Sequence, residues 1–387
     1  MKDLSIYFRP VQLERQISEN TIGETIELHT NKGFPTIERN SIAIFDVSEY
    51  RNVEGANADF GKKPNNKFRE AFYEMYRGDN WTRPVYDLGT VMPGGKIEDT
   101  YFAVAQIVTE LVKAEVIPVM IGGGQDLTLS CYKGFESLER MINICAIDSQ
   151  FDLGDPNEKI TSKGYVGHLL MQRPCYLFNY STIGVQRPFV EKKSLELFEK
   201  LYFDICRLGE FNADPKVAEP FLRNSDVLSI DFASIKSSET DPNCYHNPNG
   251  FYAEQICQVA KYAGISDKMS CVGIFDTHPE HNAIASNLLA QIIWYFIDGV
   301  SQRMGDFPIG SKKAYTKFHV QMDDFNDELV FYKSDKSGRW WLEVKYLNEE
   351  NLKYERHCMV PCNRVDYENA VKSIIPDLWW KTLQKLS

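Results

Sequence analysis

Four short stretches of this chain carry acidic, amide and imidazole side chains just after apolar runs. They are "GGGQD" (122–126), "DSQFD" (148–152), "SIDFA" (229–233) and "DTH" (276–278). Together they hold Gln125, Asp148, Gln150, Asp152, Asp231, Ala233, Asp276 and His278. Converging carboxylates suit hard divalent cations such as Mg(II), Ca(II) or Mn(II). Without a cation, clustered carboxylates repel one another, and one must take a proton. Glutamine amides offer another remedy, because their NH₂ groups donate hydrogen bonds to acids.

The glycines at 122–124 close the apolar run "VIPVMI" (116–121) and mark a turn where something approaches the backbone closely. A dinucleotide fingerprint reads G-x-G-x-x-G, with an acid about 20 residues on. Gly122 and Gly124 fit and Asp148 stands where the ribose acid would, but position 127 is Leu. That reading also leaves the other three stretches unexplained.

The elements that must position these residues alternate along the chain. Strands are expected at "SIAIFDV" (41–47), "PVYDLGTV" (84–91), "VIPVMI", "INICAID", "STIGVQ" (181–186), "DVLSIDFA" (226–233) and "MSCVGIFDTH" (269–278). Helices are expected between them, among them "KFREAFYEMYRG" (67–78), "DTYFAVAQIVTELVKAE" (99–115) and "ASNLLAQIIWYFIDGVSQRM" (285–304). Near-continuous apolar strands alternating with helices predict a doubly wound, mostly parallel α/β sheet covered on both faces. In such a sheet ligands sit beyond the C-terminal strand ends, where the four stretches fall.

Residues 1–310 are expected to form this α/β domain, with 1–40 irregular. Residues 311–387 form an extension packed on the same domain. There "ELVFYKSDKSGRWWLEV" (328–344) reads as a hairpin and "YENAVKSIIPDLWWKTLQ" closes with a short helix. The "RWW" and "LWWK" aromatics read as packing or subunit-contact residues.

A net charge of -11 argues against a nucleic-acid or anionic-membrane surface, both of which need basic stripes. No stretch reads as a run of roughly 18 apolar residues, so no membrane span is expected. The start "MKDLSIYFRPVQLER" has no signal-peptide core. The 9 cysteines are odd in number and form no C-x-x-C pair, which predicts free thiols in a reducing cytoplasm.

The order and content of the four stretches resemble the arginase/agmatinase/formimidoylglutamase (ureohydrolase) superfamily. Its members carry G-G-[GD]-H, then D-A-H-x-D, then S-x-D-x-D, then E-V-N-P. "DLTLS", "SQFDL" and "TIGVQR" are similar to the formimidoylglutamase-like branch. The resemblance covers residues 40–305 and implies an arginase-like fold. It also implies two Mn(II) ions at the strand ends, held by two His and four Asp, with a bridging hydroxide that attacks an amidine carbon.

Carried over residue by residue, the ligand set is half replaced. Asp148, Asp152 and Asp231 are kept, while Gln125, Gln150 and Ala233 stand where the family has His, His and Asp. The family's substrate-clamping Glu matches Asp276, one methylene shorter. The loop His of arginases aligns near Lys163, with His168 close by; His278, His246 and His281 are further catalytic or substrate-loop candidates. One metal site is thereby lost, and the other becomes an all-oxygen set of Gln125, Asp148, Asp152 and Asp231.

Three arrangements relieve the clustered acids. A single Mn or Mg ion binds; a lysine such as Lys163 or Lys236 replaces it; or Gln125 and Gln150 donate to the carboxylates. The expected function is that of a divergent superfamily protein without a dinuclear manganese centre, inactive on amidines and acting in binding or regulation. The alternative is an active hydrolase of formimidoylglutamase or arginase type running on a single metal. The resemblance also implies a homo-oligomer and a small amidine or amino-acid-like ligand.

Overall fold

Ten strands form one sheet in the computed structural model, which describes every residue except 1–2, 14–16, 57–65, 279–281, 323–327, 347–351 and 387. In chain order they are β1 (Phe8–Arg9), β2 (Glu27–Leu28), β3 (Ile42–Val47), β4 (Val85–Val91), β5 (Ile117–Ile121), β6 (Ile142–Ile147), β7 (Leu177–Val185), β8 (Asp204–Arg207), β9 (Val227–Asp231) and β10 (Cys271–Phe275). Their order across the sheet is β1-β4-β3-β5-β10-β9-β6-β7-β8, with β2 also on β4. Among the described residues only β1 runs antiparallel to its neighbour; the other pairings are parallel.

Strands β3 to β7, β9 and β10 are buried along nearly their whole length because helices cover both faces, while β1, β2 and β8 are partly exposed. Successive side chains point to opposite faces. Ile42 and Ile44 of β3 therefore join Phe68, Phe72 and Leu289 on one side. Ala43 and Phe45 join Val104, Ile107 and Tyr132 on the other. The irregular reading of residues 1–40 needs correcting. It missed β1 and β2, each two residues long and too short to show a period of two.

The membrane expectation needs a correction of a different kind. Helix Ala283–Ser301 is long and apolar enough to cross a membrane, with 19 residues and a mean hydropathy of 1.3. It lies mostly inside the fold, packed on helix Ala253–Ile265. Gly264 and Gly299 meet at that crossing, where a Cβ on either would strike the facing backbone. Apolarity all round a helix is what burial in a large core demands.

A second, antiparallel sheet follows: β11 (Tyr315–Val320), β12 (Leu329–Ser334), β13 (Trp340–Glu343) and β14 (Met359–Cys362), in that order. The expected hairpin is β12–β13, and the flanking strands extend it. Helices Arg364–Val371 and Asp377–Leu386 follow, two where one was expected. The apolar cluster here gathers Phe331, Leu342 and Trp379 around Phe178 of β7. Arg223 of the α/β body donates to the Trp340 and Cys362 carbonyls at 3.0 and 2.9 Å.

Candidate functional site

The four chemically loaded stretches leave β5, β10, β9 and β6, which are neighbours in the middle of the sheet. Parallel pairing puts all four exits on one edge. Residues far apart in the chain therefore converge, beyond the carboxyl ends of strands, as the sequence predicted.

The glycine turn is a stitch between elements. Gly122 and Gly123 have φ of 84° and 72°, conformations that only glycine adopts freely. The Gly122 N–H donates to the Ile274 carbonyl at 2.9 Å, and the Asp276 N–H donates to the Gly123 carbonyl at 2.8 Å. A Cβ on Gly123 would collide with the Leu127 side chain and crowd the Glu49 carbonyl. The turn thus ties β5 to β10 and presents Gln125 to the carboxylates opposite.

Gln125 is fully buried. With its nitrogen facing the acids, the amide donates to Asp148 Oδ2 at 3.0 Å and to Asp152 Oδ2 at 2.9 Å. Its oxygen then accepts from Ser229 Oγ at 3.2 Å. Ser229 also pairs with the Thr128 hydroxyl at 2.7 Å. Backbone groups also serve two of the acids: Gln150 N–H reaches Asp148 Oδ1 at 2.9 Å, and Ala233 N–H reaches Asp231 Oδ1 at 2.7 Å. Asp152 and Asp276 hold left-handed backbone, φ 46° and 51°, which aspartate tolerates better than most residues.

The electrostatics follow from burial. Asp148 is pushed well above the usual carboxylate range by burial, by the charge of Asp152 and by a hydrogen bond to it. Burial takes Asp152 up to about 8; Asp148's hydrogen bond opposes the rise, while Asp231 and Asp276 add to it. Asp231 rises well above its ordinary value through burial and the Asp148 charge. Asp276 does so through burial and the charges of Asp231, Asp126 and Asp148. Four acids thus share one low-dielectric pocket, and each is driven towards its neutral form.

Above them opens a cavity of about 670 Å³, lined by Asp231, Ala233, Asp276, Gln150, Lys163, His246 and His278 among others. Gln125, Asp148 and Asp152 do not line it. Lys163 stands at the rim, 3.4 Å from Glu54, with both side chains mostly exposed.

His168 needs correcting. It sits on helix Tyr165–Leu170, is absent from the lining, and has its buried Nε2 without a hydrogen-bond partner. Lys236 likewise does not line the cavity; its ammonium lies 3.5 Å from the Tyr252 ring centroid. His281 lies outside the described residues.

Tyr245 escaped the sequence reading. Its hydroxyl accepts from the His278 N–H at 2.7 Å and donates to the Asp276 carbonyl at 3.2 Å. It fixes the loop that carries both residues. Its place beside His246 was the available signal.

A profile of the Arginase family matches residues 63–297, more than half of the sequence. This chain belongs to the arginase family. The curated relatives it matches are formimidoylglutamases. The one from Fusobacterium nucleatum is 27% identical over 150 residues, 35% of this chain and 46% of that protein. The chain thus spans about half the length of that relative. The Bacillus subtilis formimidoylglutamase structure superposes with a TM-score of 0.65 at 14% identity, covering 77% of this chain and 97% of that one. A Trypanosoma cruzi formiminoglutamase, solved with a Mn²⁺ pair, gives 0.59 at 17% identity, covering 70% and 97%. At such identities these structures speak for the fold.

The arginase-family metal pair can be tested against the residues present. Ala233 offers a methyl group where a carboxylate is needed, and its N–H is given to Asp231. Of the two orientations of the Gln125 amide, the one that satisfies its neighbours points the nitrogen, a donor, at the two carboxylates that would ligate a cation. Among the described residues, no group of three or more His, Cys, Asp and Glu side chains is arranged to hold a metal ion.

Proposed function

We propose that this arginase-family chain has lost the dinuclear manganese centre and binds a small amidine or amino-acid-like molecule without hydrolysing it. What supports this reading is the Gln125 amide, which in the orientation that satisfies its neighbours bridges Asp148 and Asp152. A histidine ligand directs a lone pair at a metal; an amide nitrogen directs hydrogens at carboxylates. The replacement therefore satisfies acids that a lost cation would leave repelling one another. The cavity above, with Asp276, His246 and His278 on its wall, remains large enough for a small ligand.

A second reading, hydrolysis with a single divalent cation, draws on Asp152 Oδ1 and Asp276 Oδ1. Both are buried without a hydrogen-bond partner, and a cation would satisfy such oxygens.

Metal analysis of protein purified in the presence of Mn(II), together with assays on N-formimidoylglutamate, arginine and agmatine, separates the two. The proposal expects substoichiometric metal, no turnover, and saturable binding of one of these compounds by calorimetry. Stoichiometric manganese with turnover would sink it. The triple variant Gln125→His, Gln150→His, Ala233→Asp is expected to take up manganese, since it restores the family's donor set. If it binds none, the matching of strand ends to the family motifs is wrong.

A further inference from the structure

A second cavity of about 630 Å³ lies apart from the acidic one, where the α/β body meets the C-terminal extension. Its walls are apolar: Leu170, the start of β7 at Leu177 and Phe178, and Leu197 and Leu201 beyond them. Met171 and Cys175, both exposed, stand at its edge and mark its opening to solvent. Among the described residues that line it, Lys385 is the only charged one.

Lys385 comes from the terminal helix Asp377–Leu386. Its ammonium donates to the side-chain oxygen of Asn179 and lies 5.9 Å from the Phe178 ring centroid. Asp204, an acid whose charge acts on it, is engaged by Lys381 at 3.5 Å. No described carboxylate lies within ion-pairing distance of Lys385. Burial pushes this ammonium down to about 8; Asp204 opposes the fall and Lys381 deepens it. A half-buried cation with one neutral acceptor gains from an anion brought to it. An apolar wall beside it gains from a hydrocarbon.

We propose that this cavity is a binding site for an aliphatic monocarboxylate, its carboxylate on Lys385 and its chain along Phe178, Leu197 and Leu201. One ammonium matches one carboxylate charge. Its volume of about 630 Å³ falls within the range of about 300 to 1,000 Å³ of small-molecule sites, which leaves room for a medium-length chain such as that of decanoate. The site needs no metal and shares no lining residue with the cavity over Asp231. It therefore stands or falls independently of the function proposed above.

Calorimetric titration of the full chain with decanoate, and with decan-1-ol as the uncharged counterpart, tests the assignment. One decanoate per chain is expected. Lys385→Met is expected to weaken decanoate about tenfold and leave decan-1-ol within about twofold, because only the former meets the charge. Leu197→Trp, which fills the cavity, is expected to abolish both. A measurement on the unaltered chain guards against a variant that fails to fold: saturating decanoate should slow iodoacetamide alkylation of Cys175, followed by peptide mass, about fivefold or more. No binding, many weak sites indifferent to Lys385→Met, or unchanged Cys175 alkylation at saturation would each overturn the proposal.

Discussion

Asp226 and Asp231 bracket the same strand, β9, and both are buried, yet their surroundings drive them in opposite directions. Asp226, at the N-terminal end, accepts from Arg140 at 3.1 Å, from Arg356 at 2.9 Å and from the Asn143 N–H at 3.0 Å. Lys268 stands 3.8 Å away. Burial alone would raise Asp226, but Lys268, Arg356 and Arg140 outweigh it and bring the carboxyl down to about 2. Asp231, at the C-terminal end, meets other acids and one backbone N–H, and it rises. Equal burial thus yields a fixed charge at one end and a suppressed one at the other. The first end is a latch, since Arg356 belongs to the extension and Asp226 to the body. The second is built around groups that wait for a partner or do without one.

The largest effect is expected from breaking the latch. Asp226→Asn leaves the buried Lys268 and the half-buried Arg140 and Arg356 around a neutral group. Removing one member of a buried ionic cluster costs about 3–5 kcal/mol, to be read from urea unfolding. A cost below about 1 kcal/mol would mean that the cluster does not hold the two parts together. The pH dependence has a definite sign. The folded carboxyl lies below its unfolded value of 3.8, so its stabilisation is complete above that value and is lost as pH falls through about 2. Between about pH 4 and pH 2 the natural chain should lose about 2 kcal/mol that Asp226→Asn does not lose.

The two ends were not equally legible in the sequence. The acidic end was readable because each of its residues follows a strand whose apolar run announces it, and because a parallel sheet sends all such exits to one edge. Ala233 and the two glutamines stood out only against the arginase-family pattern. The latch was invisible. Arg356 and Asp226 lie far apart in the chain, and Arg356 follows a stretch of Asn, Glu and Lys with no periodicity. Short edge strands failed for want of a period. His168 lies on a helix and does not line the cavity that Lys163 lines, which its place in the sequence did not reveal. The helix Ala283–Ser301 was read at nearly its full length, but its scattered Ser, Asn and Gln residues hid how apolar it is as a whole.

A smaller effect separates the acidic end from an ordinary core. Gln125→Leu keeps roughly the same volume but removes both donations to Asp148 and Asp152 and the acceptor for Ser229. Buried groups left unsatisfied cost about 1–3 kcal/mol, so a loss of about 2 kcal/mol in urea unfolding is expected. A Leu variant as stable as the natural chain would mean that the acids satisfy one another without the amide. The contrast between a cation-held end and an amide-held end would then collapse.

The smallest effect is expected at Lys163. If a lysine had replaced the lost cation, Lys163 would play at the acidic end the part that Lys268 plays at Asp226, and its removal would cost several kcal/mol. The geometry argues otherwise. Lys268 is fully buried, whereas Lys163 keeps 57% of its side chain exposed and leans to Glu54, itself 76% exposed. Exposed pairs of this kind contribute little, because water screens the attraction and two long side chains must be ordered to make it. Its pull on Asp152 and Asp231 is real but comes after stronger influences on each. Lys163→Met should therefore change urea-unfolding stability by no more than about 0.5 kcal/mol. A loss comparable to that of Asp226→Asn would make Lys163 the resident cation of the acidic pocket, and the glutamine bridge would become secondary to it.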